Sequence, residues 1–380
     1  MLSASKKIFI KTYGCAQNTA DSERVKAYYW RLGYKNCEKW ENANLIVINS
    51  CIIRESAENR VYGFLNKIKK HNQKHENKIN VVVTGCLVGL ADKDKSGRKM
   101  RRLEESFPEV SQFLPIEKIS FDMEPLRSKD KAALIPISSG CNNFCSYCIV
   151  PFARGQEVSR PFNEVLAEAK KALESGFGEV VLIGQNVNSY GSDLVGQGSF
   201  KLPNGKVVKG VIIKAMGKAR IRSLFPHLLE SVAKLGFDKV SFVSSNPWDF
   251  SDELIKVIAN NENVDRLIHL PLQSGDDEIL KLMNRGYTAK EYLSLVERLK
   301  ENIEGVKIST DIIIGFPGES NERFQNTVSV CKKVGFEIAY LNKYSPREGT
   351  MSAKLFKNDI PQSVKRRRWQ ILEELINEKN

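Results

Sequence analysis

Six of the eight cysteines in this 380-residue chain fall into two sets of three, and the sets are built differently. Cys141, Cys145 and Cys148 crowd into Gly140-Cys-Asn-Asn-Phe-Cys-Ser-Tyr-Cys148, a C-x3-C-x2-C run, whereas Cys15, Cys51 and Cys86 lie at intervals of 36 and 35 residues. Thiolates are the ligands of iron–sulfur clusters, and neither set supplies a fourth. Three thiolates leave one iron of a four-iron cube without a protein ligand, and an open iron is where chemistry happens. The pattern reads as an enzyme with two iron–sulfur clusters. Zinc is the chief rival, because cysteine binds it too, but zinc ribbons usually pair one C-x2-C with another and the chain has no second. Cys37 and Cys331 stand outside both sets and read as small buried residues. His71 and His75, one helical turn apart among Lys and Asn, read as a solvated face.

The elements that would carry the spread set alternate. Lys7–Tyr13, Leu45–Asn49 and Val81–Thr84 read as strands, the last two as short apolar runs of the kind buried on both faces of a parallel sheet. Asn18–Leu32, capped by Asn and Asp and ended by Gly33, and Ser56–Lys70, with Val61, Phe64, Leu65 and Ile68 on one stripe, read as helices. The result is a doubly wound parallel α/β sheet. Each of Cys15, Cys51 and Cys86 then falls one to three residues past a strand, at the carboxyl edge where such sheets bind ligands. The polar bridge Arg127–Lys131 divides this domain, 1–127, from a second, 132–380. There, six strand-like runs (134–137, 179–183, 239–243, 267–272, 306–314 and 337–342) alternate with helical stretches such as Asn163–Glu174 and Ser320–Val334. Six βα units are too few for a closed eight-stranded barrel, so a partial (β/α)6 barrel is expected, with Cys141–Cys148 following its first strand.

The composition, 42% hydrophobic and 27% charged, is that of a globular protein, and no apolar run approaches the ~20 residues of a membrane helix. The N-terminus lacks a signal peptide's apolar region, so a reducing cytoplasmic setting without disulfides is expected. A net charge of +13 attracts polyanions, nucleic acid first, although lysine-rich surfaces also serve solubility. Between Asp193 and Glu230 no acidic residue interrupts Lys201, Lys206, Lys209, Lys214, Lys218, Arg220 and Arg222. Within this stretch, 191–222, Pro203-Asn-Gly205 predicts a hairpin between Phe200–Leu202 and Lys206–Val208. Lys365–Arg368 lies in a predicted C-terminal helix and reads as a solvated face or an RNA phosphate contact.

The C-x3-C-x2-C run with Tyr147 before its last cysteine resembles the radical S-adenosylmethionine (SAM) signature. The segments Lys11–Cys15, Asn49–Glu55, Thr84–Cys86, Gly140–Cys148, Val150–Arg160, Gly184–Asn188, His269–Gly275 and Asp311–Glu319 together resemble the methylthiotransferase family over nearly the whole chain. The resemblance implies that Cys141, Cys145 and Cys148 hold a 4Fe-4S cluster that binds SAM and yields a 5′-deoxyadenosyl radical. It implies that Cys15, Cys51 and Cys86 hold an auxiliary 4Fe-4S cluster that carries the sulfur to be methylated and inserted. Tyr147 would place the SAM adenine through its backbone, with a packing aromatic as the alternative. Gln185, Gln273 and Asp311, at or after barrel strands, would face the cofactor, with a structural role as the alternative for each. An electron donor such as flavodoxin or ferredoxin and a sulfur donor are implied partners, with the chain a monomer.

Cys51–Glu58 and Val150–Arg160 resemble the branch acting on dimethylallyl-adenosine at position 37 of tRNA. On that likeness Arg154, Glu157 and Arg160 contact the nucleotide or organise the cluster loop. A ribosomal-protein substrate, another tRNA adenosine and a non-catalytic electron carrier are the alternatives. The family usually continues into a small RNA-binding β domain, TRAM. The sequence stops at Asn380 after the helix that would precede it, so either the domain is absent or the sequence is a fragment, and the basic insertion could supply RNA contacts in its place.

Overall fold

The computed structural model describes residues 6–52, 55–119, 123–128 and 132–378. They form two compact units, one ending at Asp130 but taking in Ile149–Gln156, the other comprising Lys131–Cys148 and Glu157–Asn380. Ile149–Gln156 thus groups with the first unit, although the sequence places it in the second. The bridge Arg127–Lys131 runs at 129–131 outside the described residues, as do Ile53 and Arg54.

In the first unit β1 (Lys7–Tyr13), α1 (Ala16–Arg31), β2 (Lys35–Asn36), β3 (Leu45–Ser50), α2 (Glu55–Lys74) and β4 (Asn80–Gly85) follow in order. Then come α3 (Cys86–Asp92), α4 (Arg98–Ser106), the short β5 (Gln112–Phe113) and, from the returning segment, α5 (Val150–Arg154). The five strands are all parallel, in the order β2-β1-β3-β4-β5. This is a doubly wound sheet whose strand order reverses between β1 and β3, the place where such sheets bind ligands. β3 is buried at every position, as its unbroken apolar run requires. Ile46, Ile48, Val61, Leu65 and Ile68 fill one side of the sheet, and Ile8, Val25 and Val47 the other. One cap differs from expectation: Cys15 is the N-cap of α1, with Asn18 at the helix's third position rather than at its cap.

The second unit opens with β6 (Ala133–Pro136) and β7 (Ser138–Ser139), which pairs antiparallel with β8 (Val158–Ser159) across the cysteine loop's base. Next come α6 (Phe162–Glu174), β9 (Glu179–Ile183), α7 (Ser192–Val195) and two hairpins, β10 (Ser199–Lys201) with β11 (Val207–Lys209) and β12 (Ile212–Ala215) with β13 (Lys218–Ile221). The alternation resumes with α8 (Phe225–Ala233), β14 (Lys239–Phe242), α9 (Asp252–Asn260), β15 (Leu267–His269), α10 (Asp277–Leu282), α11 (Ala289–Asn302) and β16 (Lys307–Ile314). It closes with α12 (Asn321–Val334), β17 (Ile338–Lys343), α13 (Met351–Leu355) and α14 (Gln362–Ile376).

The barrel strands run parallel as β6-β9-β14 and β15-β16-β17, and a parallel bridge from Val240 to Val264 joins the two groups into a partial six-stranded barrel. β15 is shorter than expected. Pro271 cannot donate to a ladder, and pairing resumes only at Gln273, opposite Ile312. On β16 the even positions Ile308, Ile312 and Ile314 are buried in the core, while Asp311 and Ile313 on the other face are half-buried. Ser320 caps α12 by accepting from the Arg323 amide, as its position before the apolar stripe predicts.

The C-terminal helix corrects one expectation. Lys365 and Arg368 are buried, not presented to solvent or RNA. Lys365 Nζ donates to the Tyr344 carbonyl at 3.0 Å and to Asn358 Oδ1 at 2.7 Å. Arg368 pairs with Glu319 at 2.7 Å. Gly315, at φ +70°, makes room: a Cβ there would stand 2.4 Å from the Lys365 side chain.

Candidate cluster sites

In the first unit the ends of β1, β3 and β4 are level, because Tyr13 pairs with Ser50 and Ser50 with Gly85. Cys51 and Cys86 follow their strands directly and Cys15 comes two residues after β1. Adjacent strands are ~4.8 Å apart, so register alone gathers three thiols remote in sequence. Cys51 and Cys86 are buried and Cys15 is exposed. A polar net fixes this edge. Asn18 Nδ2 donates to Asn49 Oδ1 at 3.0 Å, and Asn49 Nδ2 donates to the Asn18 carbonyl at 2.8 Å and to Ser22 at 2.9 Å. Gly85, at φ +90°, lets the chain turn where a Cβ would stand 2.3 Å from Asn49 Oδ1.

Arg154 belongs to this site. Its Nε donates to Cys86 Sγ at 3.2 Å and its Nη2 pairs with Asp21 at 2.8 Å. Ile149 and Ala153 pack with Ile52, Leu87, Ala91 and Leu103 to hold the segment in place. Burial pushes the Cys86 thiol up to about 11; Arg154 pulls it down, and Cys51 and Cys15 push it further up.

In the second unit the loop from Cys141 to Cys148 is pinned from outside. The Ser146 amide donates to the Met283 carbonyl at 3.0 Å and its hydroxyl to the Leu282 carbonyl at 2.7 Å. Asn284 Nδ2 donates to the Phe144 carbonyl at 2.9 Å. Phe144 takes φ +49°, the left-handed region, and its ring is exposed. Cys141 is buried, which raises its thiol well above the ordinary range. Arg285 Nη1 donates to Cys145 Sγ at 3.4 Å, its Nη2 to the Pro271 carbonyl at 3.2 Å and its Nε to Tyr287 Oη at 3.1 Å. The guanidinium also lies 4.5 Å from the centre of the Trp248 ring.

The other predicted residues spread over the second unit. Tyr147 packs on Ile279, Met283, Phe316 and Tyr344, so its ring is a packing group beside the loop. Gln185 lies two residues past β9. Gln273, at φ +67°, exchanges backbone hydrogen bonds with β16 through the Asp311 carbonyl and the Ile313 amide. Asp311 Oδ2 is 3.0 Å from His269 Nε2, a pairing the sequence reading did not single out. The Glu157 amide donates to Asn142 Oδ1 at 3.1 Å, which ties the returning strand to the cysteine loop. The Glu157 carboxyl accepts from the Ser189 hydroxyl. Burial lifts it to about 7; Ser189 lowers it, and Asp249 and Asp193 add to the rise. Arg160 bonds inside the unit to the Pro136 carbonyl at 2.8 Å and Glu168 at 2.7 Å. Arg285 carries no motif, and nothing in the sequence separates it from other basic residues.

Each site offers three free thiols, the donor type of iron–sulfur clusters. Buried polar atoms lack protein partners there: Gln17 Oε1 and Thr84 Oγ1 in the first unit, Ser138 Oγ, Asn143 Nδ2 and Asn186 Oδ1 in the second. Buried polar groups are ordinarily hydrogen-bonded, so such atoms mark places open to a further partner. Of the remaining candidates, Cys37 faces the Ile8 carbonyl at 3.4 Å, Cys331 is buried in the barrel core, and His71 stacks on His75 at 4.0 Å.

Residues 135–331 match the radical SAM superfamily and residues 7–105 the uncharacterized protein family UPF0004. A tRNA-2-methylthio-N(6)-dimethylallyladenosine synthase of Fusobacterium nucleatum is 37% identical, over 98% of this chain and 84% of its own length. One of Clostridium botulinum (strain Langeland) is also 37% identical, over 98% of this chain and 82% of its own length. Among solved structures, the radical SAM methyltransferase TsrM of Kitasatospora setae superposes with TM-score 0.57 at 13% identity, over 89% of this chain and 73% of TsrM. The cobalamin-dependent radical SAM enzyme OxsB does so with TM-score 0.54 at 9% identity, over 95% of this chain and 56% of OxsB. At those identities the likeness is one of fold.

Proposed function

We propose, on the premise that this chain belongs to the methylthiotransferases of the radical SAM superfamily, that it adds a methylthio group at position 2 of N6-dimethylallyladenosine, at position 37 of tRNA. The family's cofactors are SAM and two 4Fe-4S clusters. Cys141, Cys145 and Cys148 would hold the cluster that receives SAM, and Cys15, Cys51 and Cys86 the auxiliary one. When bound, these groups supply a carbon-centred radical and a methylated sulfur, chemistry beyond any side chain. The chain's own residues hold the sites. The Met283 and Leu282 carbonyls and Asn284 fix the loop, Arg285 and Arg154 each donate to a ligand sulfur, and the Asn18–Asn49 net fixes the sheet edge. Glu157 organises the cysteine loop through Asn142. A cytoplasmic monomer served by an electron donor and a sulfur donor fits this chemistry, and among the described residues no helix is long and apolar enough to cross a membrane.

The observation that carries the reading is the presence of two distinct three-thiol sites, each backed by a buried arginine on one sulfur. Mass spectrometry of tRNA nucleosides from cells lacking the protein tests it. The methylthiolated adenosine should vanish and its dimethylallyl precursor accumulate, and both should reverse on complementation. Unchanged tRNA with a methylthio group lost from a ribosomal protein would overturn the substrate assignment.

A further inference from the structure

Arg154 is buried to 7% exposure and Asp21 to 4%, and they form an ion pair that ends on a sulfur atom. Gln17 Nε2 donates to the other oxygen of Asp21 at 3.1 Å, so the carboxylate is held from both sides. The arrangement is built into the backbone. At Gly89 in α3 an added Cβ would stand 2.5 Å from the Ala153 carbonyl, so glycine permits the approach that brings Arg154 onto Cys86. Burying a guanidinium is costly unless it is paired and hydrogen-bonded. Here it meets one carboxylate and one thiol, and no nucleotide is needed to satisfy it.

Hydrogen bonds to ligand sulfur and the local net charge set the potential of a cluster. A cation donating to a thiolate favours the state with one more electron, and a carboxylate on that cation offsets part of its charge. Building on the cluster assignment above, we propose that Arg154 is a positioning residue that raises the reduction potential of the cluster held by Cys15, Cys51 and Cys86, and that Asp21 limits the rise. The one-electron step is the ordinary reduction of that cluster by an external reductant. Arg154 neither gives nor takes the electron.

The test uses the full chain carrying Cys141→Ala, Cys145→Ala and Cys148→Ala, so that one cluster remains, reconstituted anaerobically and titrated with dithionite under EPR. In Arg154→Gln the ratio of reduced to oxidised cluster at fixed potential should fall about tenfold, a midpoint about 59 mV lower for one electron. Arg154→Lys, which keeps the charge but not the planar fork, should fall between. Asp21→Asn should move the midpoint up. An Arg154→Gln protein with its iron in place and an unmoved midpoint overturns the proposal. If Arg154→Gln takes up no iron, Asp21→Asn decides: a rise supports the proposal, and no change or a fall overturns it. A parent protein that itself binds no iron would instead refute the cluster assignment.

Discussion

The two thiol sites reach a similar chemistry by opposite routes. The second unit's set is local: eight residues, Cys141–Cys148, held by carbonyls at the end of α10. The first unit's set is global, since it exists only when β1, β3 and β4 pair in register. Their arginines differ in the same sense. Arg285 is satisfied by a carbonyl, a phenol and an indole face, all neutral, whereas Arg154 is tied to a carboxylate. A local loop can be anchored by dipoles. A site assembled from distant strands buries a charge with its own counterion. This teaches that a short motif announces the first kind of site, while only topology reveals the second.

The division of labour between the sites gives the largest effects. Anaerobically reconstituted protein should hold about eight irons, and replacing Cys141, Cys145 and Cys148 together by Ala should leave about four. Reductive cleavage of SAM should then fall below detection. Cys51→Ala should abolish sulfur insertion while SAM cleavage to 5′-deoxyadenosine persists. Loss of SAM cleavage in Cys51→Ala, with the other cluster intact by spectroscopy, would erase the functional contrast.

Next in size is the cost of removing each arginine. Arg154→Met leaves Asp21 as a buried, uncompensated charge and should cost about 3–5 kcal/mol in chemical denaturation. Arg285→Met takes one donor each from Cys145 Sγ, the Pro271 carbonyl and Tyr287 Oη, the last two of which stay bonded to each other, and should cost about 1–3 kcal/mol. Adding Asp21→Leu to Arg154→Met should recover much of the first loss. Equal costs for the two arginines would show that the carboxylate is not what distinguishes the sites.

The legibility of the chain follows the same line. The doubly wound sheet and six barrel strands could be read because continuous apolar runs such as Leu45–Asn49 admit few placements. The strand-end positions of Cys15, Cys51 and Cys86 could be read because they follow from the βα period. Arg154 was visible as a residue but not as to its place, since a segment between Cys148 and Glu157 gives no sign of which unit it packs in. The second hairpin was missed because Met216 and Gly217 form its turn, both at positive φ, and methionine is not a turn signal. Lys365 and Arg368 were read as surface because charge usually is; their burial depends on Gly315 and Glu319, 50 and 49 residues earlier.

The second site's own acid sharpens the contrast through pH. Glu157 has a hydroxyl as its hydrogen-bond partner, and burial lifts it from 4.5 to about 7 against the pull of Ser189 and Arg220. Its folded value lies above its unfolded one, so its contribution to stability is complete below about pH 4.5 and is lost as pH rises toward 7. The native chain should therefore lose about 1–3 kcal/mol of unfolding free energy relative to Glu157→Gln across that window. A difference independent of pH would mean that Ser189 already offsets the burial.

The smallest expected effect touches neither thiol site. Lys201, Lys209, Lys214 and Arg222 on the two hairpins are exposed, whereas Lys218 and Arg220 turn inward, each 5.8 Å from the Trp248 ring. Phosphate contacts release counterions, so tRNA binding weakens with salt in proportion to their number. Neutralising the four exposed cations should reduce the salt slope by about one unit for each that meets a phosphate and weaken binding severalfold. SAM cleavage without tRNA should not change, because none of the four contacts the cysteine loop. Lys218→Gln with Arg220→Gln should do the reverse. Arg220 bonds Asn143 between Cys141 and Cys145, and Lys218 Nζ donates at 3.4 Å to the carbonyl of Asn284, whose side chain holds Phe144 of the loop, so their loss should disturb SAM cleavage while the salt slope holds. If the fourfold and the double variant each move both readouts, the hairpins are one unit with the cysteine loop, and the separation between RNA surface and thiol site fails.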